Sequence, residues 1–394
     1  MPLRALKVRR IDPKKYDLSG LSVLITGGET IIGTAMARLY LSLGVDTVYL
    51  VVQDLGQGES IKAAILRDDK IVERNPGCKV HLYGINYSDL SSVKSFCEKF
   101  RSEVNVLHIA VLGAEVNLPS FSRTIDGLEE TLQVNFVANV ILCNYLVPLL
   151  KANYPANRNV TEQLSKKLSK NSVFKTLPSH LTWVSSESHR FSKLSRGKAY
   201  IAPSNSVFEV FNDPQDLSDE LYAASKFVAM AYTLELGRRV GDEKLVVNSA
   251  SPGEIKAETE AEADAEDAED AEADAEDADA DADAESESEL EAEAEAEAEA
   301  EEEAETGANV PFYLRHSRKI WSYFRDRKAS TGAAAVIWAT LCGPEGNAKS
   351  WENGVVSQPA SYLREARGKH FQIQLWDQTR GWVHRFNKTI PILH

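Results

Sequence analysis

The stretch "LSVLITGGETIIG", residues 21–33, decides the fold of this 394-residue chain. A short apolar run is followed by a glycine turn and then by residues with helical spacing. That order predicts a buried strand, a tight loop and a helix packed against the strand. Such a unit places a helix N-terminus where it can bind phosphate groups, as the first turn of a dinucleotide-binding fold does. One position departs from the pattern, because Ile31 stands where a second glycine is expected.

The alternation of strand and helix continues to about residue 256. Further strands are predicted at 46–52, 79–86, 104–113, 179–186 and 245–253, and helices at 31–44, 60–76, 90–101, 127–151, 219–239 and 330–343. Strands that alternate with helices of this length favour βαβ units and a parallel sheet. We therefore predict an α/β fold of the Rossmann type, a doubly wound parallel sheet in a single domain.

An acidic segment interrupts this pattern. From Ala257 to Glu305 the chain holds 27 acidic residues and no lysine or arginine. Like charges repel there and nothing apolar can be buried, so we expect a disordered insertion. Outside it the chain has 32 acidic and 44 basic residues, although the whole carries a net charge of −15. The predicted segments are a basic extension (1–19), the dinucleotide-binding domain (20–256), the acidic insertion (257–306) and a continuation of the domain (307–394).

Composition narrows the class of protein. The four cysteines lie far apart in no metal-like spacing, which favours free thiols in a reducing compartment and predicts no metal site. We find no apolar run of the roughly 18–20 residues that a membrane helix needs, and no secretory signal. We therefore expect a cytoplasmic protein without a membrane span. No recognition motif accompanies the basic residues, so a solvated surface is favoured over nucleic-acid binding.

Three further motifs carry residues suited to proton chemistry. "LYAASKFVAM" places Tyr222 and Lys226 one helical turn apart. A nearby ammonium lowers the pKa of a tyrosine, which can then exchange a proton with a carbonyl or an alcohol. "TWVSSESH" puts Ser186 at the carboxyl end of a strand, where open α/β sheets place reactive groups. Asn135, inside an apolar helix, needs a partner; it either bends the helix or holds a water in a proton relay.

Together these motifs resemble the short-chain dehydrogenase/reductase family in order and spacing. They are the glycine turn (26–33), "TIDGLEETLQVN" (124–135), "VSSESHRF" (184–191), "YAASK" (222–226) and "NSASPG" (248–253). The second and third look particularly like the branch of retinol dehydrogenases and WW-domain oxidoreductases, and fungal secondary-metabolite reductases look similar. The resemblance covers about 20–256 and 307–390.

The resemblance implies a role for each residue. Asn135 would hold the relay water, and Ser186, rather than Ser185, would position the carbonyl. Tyr222 would be the general acid/base, and Lys226 would lower its pKa and hydrogen-bond the nicotinamide ribose. His189 is interpreted as a loop residue, because Tyr222 already fills the role of base. The implied cofactor-binding residues are Thr26, Gly27, Gly28, Ile31, Ile32, Gly33, Gln53, Asp54, Asn86, Gly113, Tyr222, Lys226, Pro252 and Gly253.

The chain also departs from the family's pattern. Where the family has two asparagines, an alanine and a glycine after the fourth strand, this chain has "AVLG", and only Gly113 is kept. Asn86 replaces an aspartate that contacts adenine in the family. The sequence does not decide between NADP(H) and NAD(H) as the cofactor. Glu29 and Asp54 would repel a 2′-phosphate and therefore favour NAD(H). The resemblance to the retinol dehydrogenase branch, whose members commonly use NADP(H), favours NADP(H).

We expect an NAD(P)-dependent oxidoreductase that interconverts a ketone and a secondary alcohol on a hydrophobic small molecule, such as a tailoring step in fungal secondary metabolism. Its partners would be that substrate and further copies of the chain, in a homodimer or homotetramer. The alternative is a catalytically reduced member of the fold that binds a nucleotide or serves as a scaffold. The chain keeps all four residues proposed for the chemistry, and this favours an active enzyme over the catalytically reduced alternative.

Overall fold

The computed structural model describes residues 8–13, 16–152, 178–196, 206–213, 217, 220–255 and 327–393. By internal contacts the chain divides into two compact units, residues 6–253 with 329–394 and residues 1–5 with 254–328. In the second unit the described residues include an isolated parallel bridge between Ile255 and Arg327. The predicted acidic insertion, 257–306, lies outside the described residues, so its disorder and its boundaries stay predictions.

The described part of the larger unit contains one eight-stranded sheet in the order β3-β2-β1-β4-β5-β6-β7-β8. The strands are β1 (Ser22–Thr26), β2 (Thr47–Val52), β3 (Lys79–Gly84), β4 (Ile109–Leu112), β5 (Ser179–Val184), β6 (Leu245–Ser251), β7 (Ser350–Glu352) and β8 (Val355–Ser357). Strands β1 to β7 pair in parallel, and β8 is antiparallel to β7. The predicted parallel sheet is confirmed, and the strand order reverses between β1 and β4, where such sheets bind ligands.

Helices cover both faces of the sheet. They are α1 (Ile31–Ser42), α2 (Leu55–Leu66), α3 (Asp69–Arg74), α4 (Leu90–Glu103), α5 (Glu130–Ala152), α6 (Val207–Asn212), α7 (Leu221–Val240), α8 (Ala329–Ala339), α9 (Ser361–Arg364) and α10 (Ala366–Phe386). The single helix expected at 60–76 is two helices. Asp68 explains the break, because its carboxylate accepts the amide of Lys70 and caps α3.

The apolar residues of each strand alternate between two cores. In β1, Leu24 packs in the core that holds α4, α5 and α7, whereas Val23 and Ile25 pack in the core that holds α1 and α8. This is the two-sided burial that a parallel sheet with helices on both faces requires. Helix α1 also contacts α8 through Tyr40, whose hydroxyl lies 2.9 Å from that of Thr340.

The C-terminal helix α10 covers α7. Phe371 stacks on Phe227 with ring centroids 5.8 Å apart, and Trp376 stacks on Tyr232 at 5.2 Å. Aromatic pairs at these distances contribute attraction beyond the area that they bury. The aromatic residues of the C-terminal stretch therefore belong to the core of the larger unit.

One helix bears on the expectation that the chain has no membrane span. Glu130–Ala152, which is α5, is long and apolar enough to span a bilayer by length and composition. Its apolar window is 89% buried inside the protein, as in the core helix of a globular domain. All four cysteines are free thiols, as expected.

Candidate active site

The predicted site residues gather at the carboxyl edge of the sheet. They lie at or just beyond the ends of parallel strands: Thr26 and Gly27 at β1, Gln53 and Asp54 at β2, Asn86 at β3, Gly113 at β4, Ser186 at β5, and Pro252 with Gly253 at β6. Since the carboxyl ends of parallel strands share one edge, residues far apart in the sequence meet there. Open α/β sheets bind their ligands at this edge.

The glycine turn leaves no room for side chains at two positions. Gly27 has a positive φ of +69°, and a Cβ atom there would lie 2.9 Å from the carbonyl oxygen of Gly113. A Cβ atom on Gly33 would overlap the carbonyl oxygen of Gly27. The close approach of α1 to the turn after β1 therefore requires Gly33, and the close approach of the segment after β4 requires Gly27. Gly28 donates its backbone amide to the carbonyl of Val51, 3.1 Å away, which fixes the turn to β2.

Ile31 begins α1, and its side chain is 47% exposed. Thr30 caps the helix by accepting the amide of Gly33 at 3.0 Å, whereas Ile32 is partly buried against the core. The Ile31 side chain thus stands at the helix N-terminus, where backbone amides favour an anion. It narrows the approach to those amides without entering the core.

Acidic residues near β2 bear on cofactor choice. Asp54 caps α2, because its carboxylate accepts the amides of Gly56 at 2.7 Å and Gln57 at 3.1 Å. Glu29 reaches across from the glycine turn, and its Oε1 accepts the amide of Gln53 at 2.9 Å. Within the described part of the chain, the other oxygen of Glu29 is buried and lacks a hydrogen-bond partner. A carboxylate oxygen so placed fits a hydroxyl donor such as a ribose.

The predicted cofactor residues beyond β3 and β6 are fixed by local hydrogen bonds. Asn86, beyond β3, is exposed, and its side-chain oxygen accepts the amide of Ser88 at 3.0 Å. Gly253, beyond β6, has a φ of +74° and donates its amide to the hydroxyl of Ser251 at 3.2 Å. The glycine turn that a Cβ atom would block, the N-terminus of α1 and the buried, unpartnered oxygen of Glu29 together fit a nicotinamide dinucleotide.

Two side chains fix the segment that leaves β4. The hydroxyl of Thr26 accepts the amides of Gly113 at 3.0 Å and Ala114 at 3.2 Å. Asn135 binds Val116 twice, accepting its amide at 2.7 Å and donating to its carbonyl at 2.9 Å. The residue between these two anchors is Glu115, and its backbone is therefore held on both sides.

Asn135 lies in a widened π-helical turn of α5, Gln133–Val137. Its amide nitrogen also donates to the hydroxyl of Ser225 at 2.9 Å, and that hydroxyl donates to the carbonyl of Tyr222 at 2.7 Å. Asn135 thus joins α5, the β4 exit and α7. Such turns are frequent at functional sites, and the geometry agrees with a helix-bend role. The relay water stays a prediction.

Tyr222 and Lys226 lie one turn apart on α7, and both contact Glu115. The Tyr222 hydroxyl donates to Glu115 Oε1 at 3.2 Å, and Lys226 Nζ forms a salt bridge with Glu115 Oε2. Lys226 also donates to the carbonyl of Val184 at 3.2 Å. The lysine side chain is 3% exposed and the glutamate side chain 36% exposed, so a buried ammonium is paired with a carboxylate that faces solvent.

The pKa of Tyr222 moves opposite to the sequence-based expectation. Burial of the phenol and the charge of the Glu115 carboxylate raise this pKa well above its ordinary value, although a hydrogen bond with Ser186 opposes them. Lys226 was expected to lower it, but the ammonium is neutralised by Glu115. The prediction was wrong for this arrangement because it included the cation and omitted the anion beside it.

Ser186 stands at the exit of β5 near Tyr222. Its hydroxyl accepts the amide of Ser188 at 3.2 Å and donates to the Ser188 hydroxyl at 3.0 Å. His189 is buried, and both of its ring nitrogens are used: Nδ1 donates to the carbonyl of Ser186 at 2.7 Å, and Nε2 accepts the amide of Ala360 at 3.2 Å. Burial lowers the pKa of His189 to about 3, so it is neutral and positions Ser186.

Sequence reasoning missed Glu115. The available signal was an acidic residue two positions after Gly113, beyond the strand that borders the switch point. From that position, Glu115 could have been predicted to lie near Lys226, but not to form a salt bridge with it. Among the described residues no group of His, Cys, Asp or Glu could hold a metal ion.

Comparisons with known proteins identify similar chains. A short chain dehydrogenase of the fungus Arthrobotrys oligospora is 30% identical over 379 residues, 96% of this chain and 97% of that protein. The short chain dehydrogenase macD of Penicillium terrestre is 23% identical over 369 residues, 93% of this chain and 92% of that protein. A WW domain-containing oxidoreductase of Gallus gallus is 30% identical over 244 residues, 61% of this chain and 50% of that protein.

A solved structure shares the fold. The crystal structure of an uncharacterized protein from Mycobacterium paratuberculosis superimposes with a TM-score of 0.55 at 17% identity, covering 96% of this chain and 97% of that chain. No protein-family model matches the chain. The assignment of the chain to a family therefore rests on the relatives that match it over nearly the whole length of both proteins.

Proposed function

This chain belongs to the short-chain dehydrogenase/reductase family, as its motifs suggested, and on that premise we propose that it interconverts a ketone and a secondary alcohol on a hydrophobic small molecule. The family makes it an oxidoreductase that uses a nicotinamide dinucleotide. The observation that carries the finer proposal is the grouping of Ser186, Tyr222 and Lys226 at the carboxyl edge of the sheet. A tailoring reaction in fungal secondary metabolism is the setting that we propose.

The side chains of this site are suited to moving one proton. When bound, the nicotinamide cofactor supplies or accepts a hydride at the reacting carbon. The phenol of Tyr222 would donate its proton to the carbonyl oxygen, and the Ser186 hydroxyl would hold that oxygen in place. Lys226, buried beside Tyr222, would stabilise the phenolate that remains and hydrogen-bond the ribose. Positioning of the carbonyl carbon would supply much of the acceleration.

We further propose that the preferred cofactor is NAD(H). Glu29 supports this preference, since its carboxylate lies at the end of β2 and its second oxygen is buried without a hydrogen-bond partner among the described residues. A ribose 2′-hydroxyl can donate to that oxygen, as acidic residues do in dinucleotide-binding folds. A 2′-phosphate at the same place would be repelled. Asp54 contributes less, because its carboxylate already caps α2.

Assembly and location are further proposals. The homodimer or homotetramer implied by the family would use surfaces other than α7, because α10 of the same chain covers that helix. Light scattering of the purified protein measures the assembly. A cytoplasmic location is proposed from the four free thiols, which suit a reducing compartment.

Two measurements test the proposed activity. The purified protein is titrated with NADH and NADPH while nicotinamide fluorescence is followed, and a panel of ketones is then assayed for oxidation of the bound nucleotide. We expect binding and turnover, with NADH preferred. Binding without turnover of any ketone would favour the alternative, a catalytically reduced protein that serves as a nucleotide-binding module. Absence of binding at millimolar nucleotide would remove the enzyme proposal.

A further inference from the structure

We propose that Glu115 is a built-in competitor of the cofactor: its carboxylate holds Lys226 and Tyr222 in the cofactor-free chain and must leave them before the nicotinamide ribose can bind. This inference rests on the proposed function, in which Lys226 donates to that ribose. It adds an autoinhibitory contact to that function.

The geometry makes the two partners of Lys226 mutually exclusive. The Lys226 side chain is 3% exposed, and its ammonium is paired with the carboxylate of Glu115. A second hydrogen bond joins the ammonium to the carbonyl of Val184 at 3.2 Å. The same carboxylate accepts the Tyr222 hydroxyl at 3.2 Å. One carboxylate therefore takes both donors that a bound ribose and substrate would need.

Lys226 and Glu115 differ in exposure, and this difference favours release of the Glu115 carboxylate from the ammonium. Lys226 is buried on α7, whereas the Glu115 side chain is 36% exposed and can turn toward water. Its backbone cannot drift, because Thr26 holds Ala114 and Asn135 holds Val116. Rotation of one side chain is thus sufficient to free the site. The contact reforms when the cofactor leaves, since the anchored backbone keeps the carboxylate within reach.

The proposal predicts opposite effects on stability and on affinity. Replacing Glu115 by glutamine leaves a buried ammonium without its counter-charge, which lowers the stability of the cofactor-free protein. The same change removes the competitor, so NADH should bind more tightly. We expect about a fivefold lower Kd, because an ion pair with a partly exposed partner is weak. A residue with a merely structural role would lose stability and affinity together.

The experiment measures the Kd of NADH and the melting temperature in three proteins: the full-length wild type, Glu115→Gln and Glu98→Gln. Glu98→Gln is the matched control, because it also removes the carboxylate of a glutamate paired with a lysine, Lys94 at 2.9 Å, at a position on α4 that belongs to no proposed site. We expect Glu115→Gln to melt at a lower temperature without nucleotide, to bind NADH more tightly and to gain more degrees from it than the wild type.

Every other result of this experiment contradicts either the competitor role of Glu115 or the proposed function. Unchanged or weaker NADH binding by Glu115→Gln, with normal binding by the wild type, overturns the competitor and leaves the proposed function intact. Equal tightening in both variants assigns the effect to general charge and also overturns it. If the wild type binds neither nucleotide, the proposed function itself fails.

Discussion

The hydroxyl of Tyr222 donates a hydrogen bond of 3.2 Å to the carboxylate of Glu115. A phenolate at that position would face a negative charge, which is one reason that the pKa of Tyr222 lies well above its ordinary value. At neutral pH the residue is therefore protonated, the form that a carbonyl reduction needs. The opposite reaction needs the phenolate, so the two directions should differ in their dependence on pH.

Alcohol oxidation should keep rising as the pH increases above neutral, whereas ketone reduction should already be active at neutral pH. The raised pKa of Tyr222 is the cause, because a general base must be deprotonated before it accepts a proton. The profile of kcat/KM against pH in both directions measures this. Oxidation that is already maximal at neutral pH would show that the pKa of Tyr222 is not raised in the working enzyme.

Tyr222→Phe should lower turnover of a ketone by about a hundredfold or more, the usual contribution of a positioned general acid. The phenyl ring keeps the packing of α7 and loses only the hydroxyl. Nucleotide titration of the same variant is the control, since it should still bind NADH. Turnover equal to that of the wild type would remove Tyr222 from the role of proton donor.

Ile31→Gly should tighten cofactor binding several-fold. Ile31 is 47% exposed at the first residue of α1, where we expect its side chain to hinder the approach of a diphosphate to the helix amides. Ile31→Ala is the matched variant, because it removes most of the side chain while keeping the helical backbone preference. Affinity that is unchanged in both variants would show that the side chain turns away from the bound nucleotide.

Glu29→Gln should reduce the preference for NAD(H) over NADP(H). The substitution removes the charge that opposes a 2′-phosphate, while its amide oxygen can still accept the amide of Gln53. The ratio of the two dissociation constants, measured at one ionic strength, should shift toward NADPH by about tenfold, the equivalent of 1.4 kcal/mol. A wild type that already prefers NADPH would contradict the assignment of Glu29.

The protein should lose stability as the pH falls from about 6.5 toward 4. Burial lowers the pKa of His108 and His180 to about 4 and that of His189 to about 3, so the unfolded chain binds protons that the folded chain rejects. Each histidine contributes about 1.4 kcal/mol per pH unit within its window.

The free energy of unfolding at several pH values measures that slope. His180→Gln is the informative variant, because a glutamine amide can keep the hydrogen bond that Nε2 donates to the carbonyl of Cys342 at 2.9 Å. Its slope between pH 6 and pH 5 should be smaller than that of the wild type. An equal slope would show that His180 does not cause the acid sensitivity.

Much of the fold followed from local pattern. The strand, turn and helix of residues 21–33 could be predicted because apolar spacing and glycines act over a few residues. Strands β7 and β8 could not, since three residues each are too short to show an alternation. The break at Asp68 depends on one capping side chain within a continuous helical pattern.

The sequence predicted where the site residues lie in the fold, but it did not predict which charged groups pair within the site. Parallel strands bring their carboxyl ends to one edge, so Thr26, Gly113 and Ser186 could be expected near one another, and the family resemblance added Tyr222 and Lys226 to that group. Which anion neutralises Lys226 depends on the path of the chain after β4, and that path is set by Asn135 and Thr26 through contacts with backbone groups. Local pattern carries no information about such contacts, and the pKa of Tyr222 was misjudged for that reason.

The packing of α1 against α8 has a consequence for synthesis on the ribosome. Tyr40 and Thr340, which meet in that contact, are 300 residues apart in the chain. At about 5–20 residues per second, the first helix waits about 15–60 s for its partner to be translated. During that interval the apolar face of α1 stays uncovered on that side while the whole acidic segment leaves the exit tunnel. A nascent chain of this protein is therefore expected to need chaperone protection longer than a chain whose first helix packs against its neighbours in sequence.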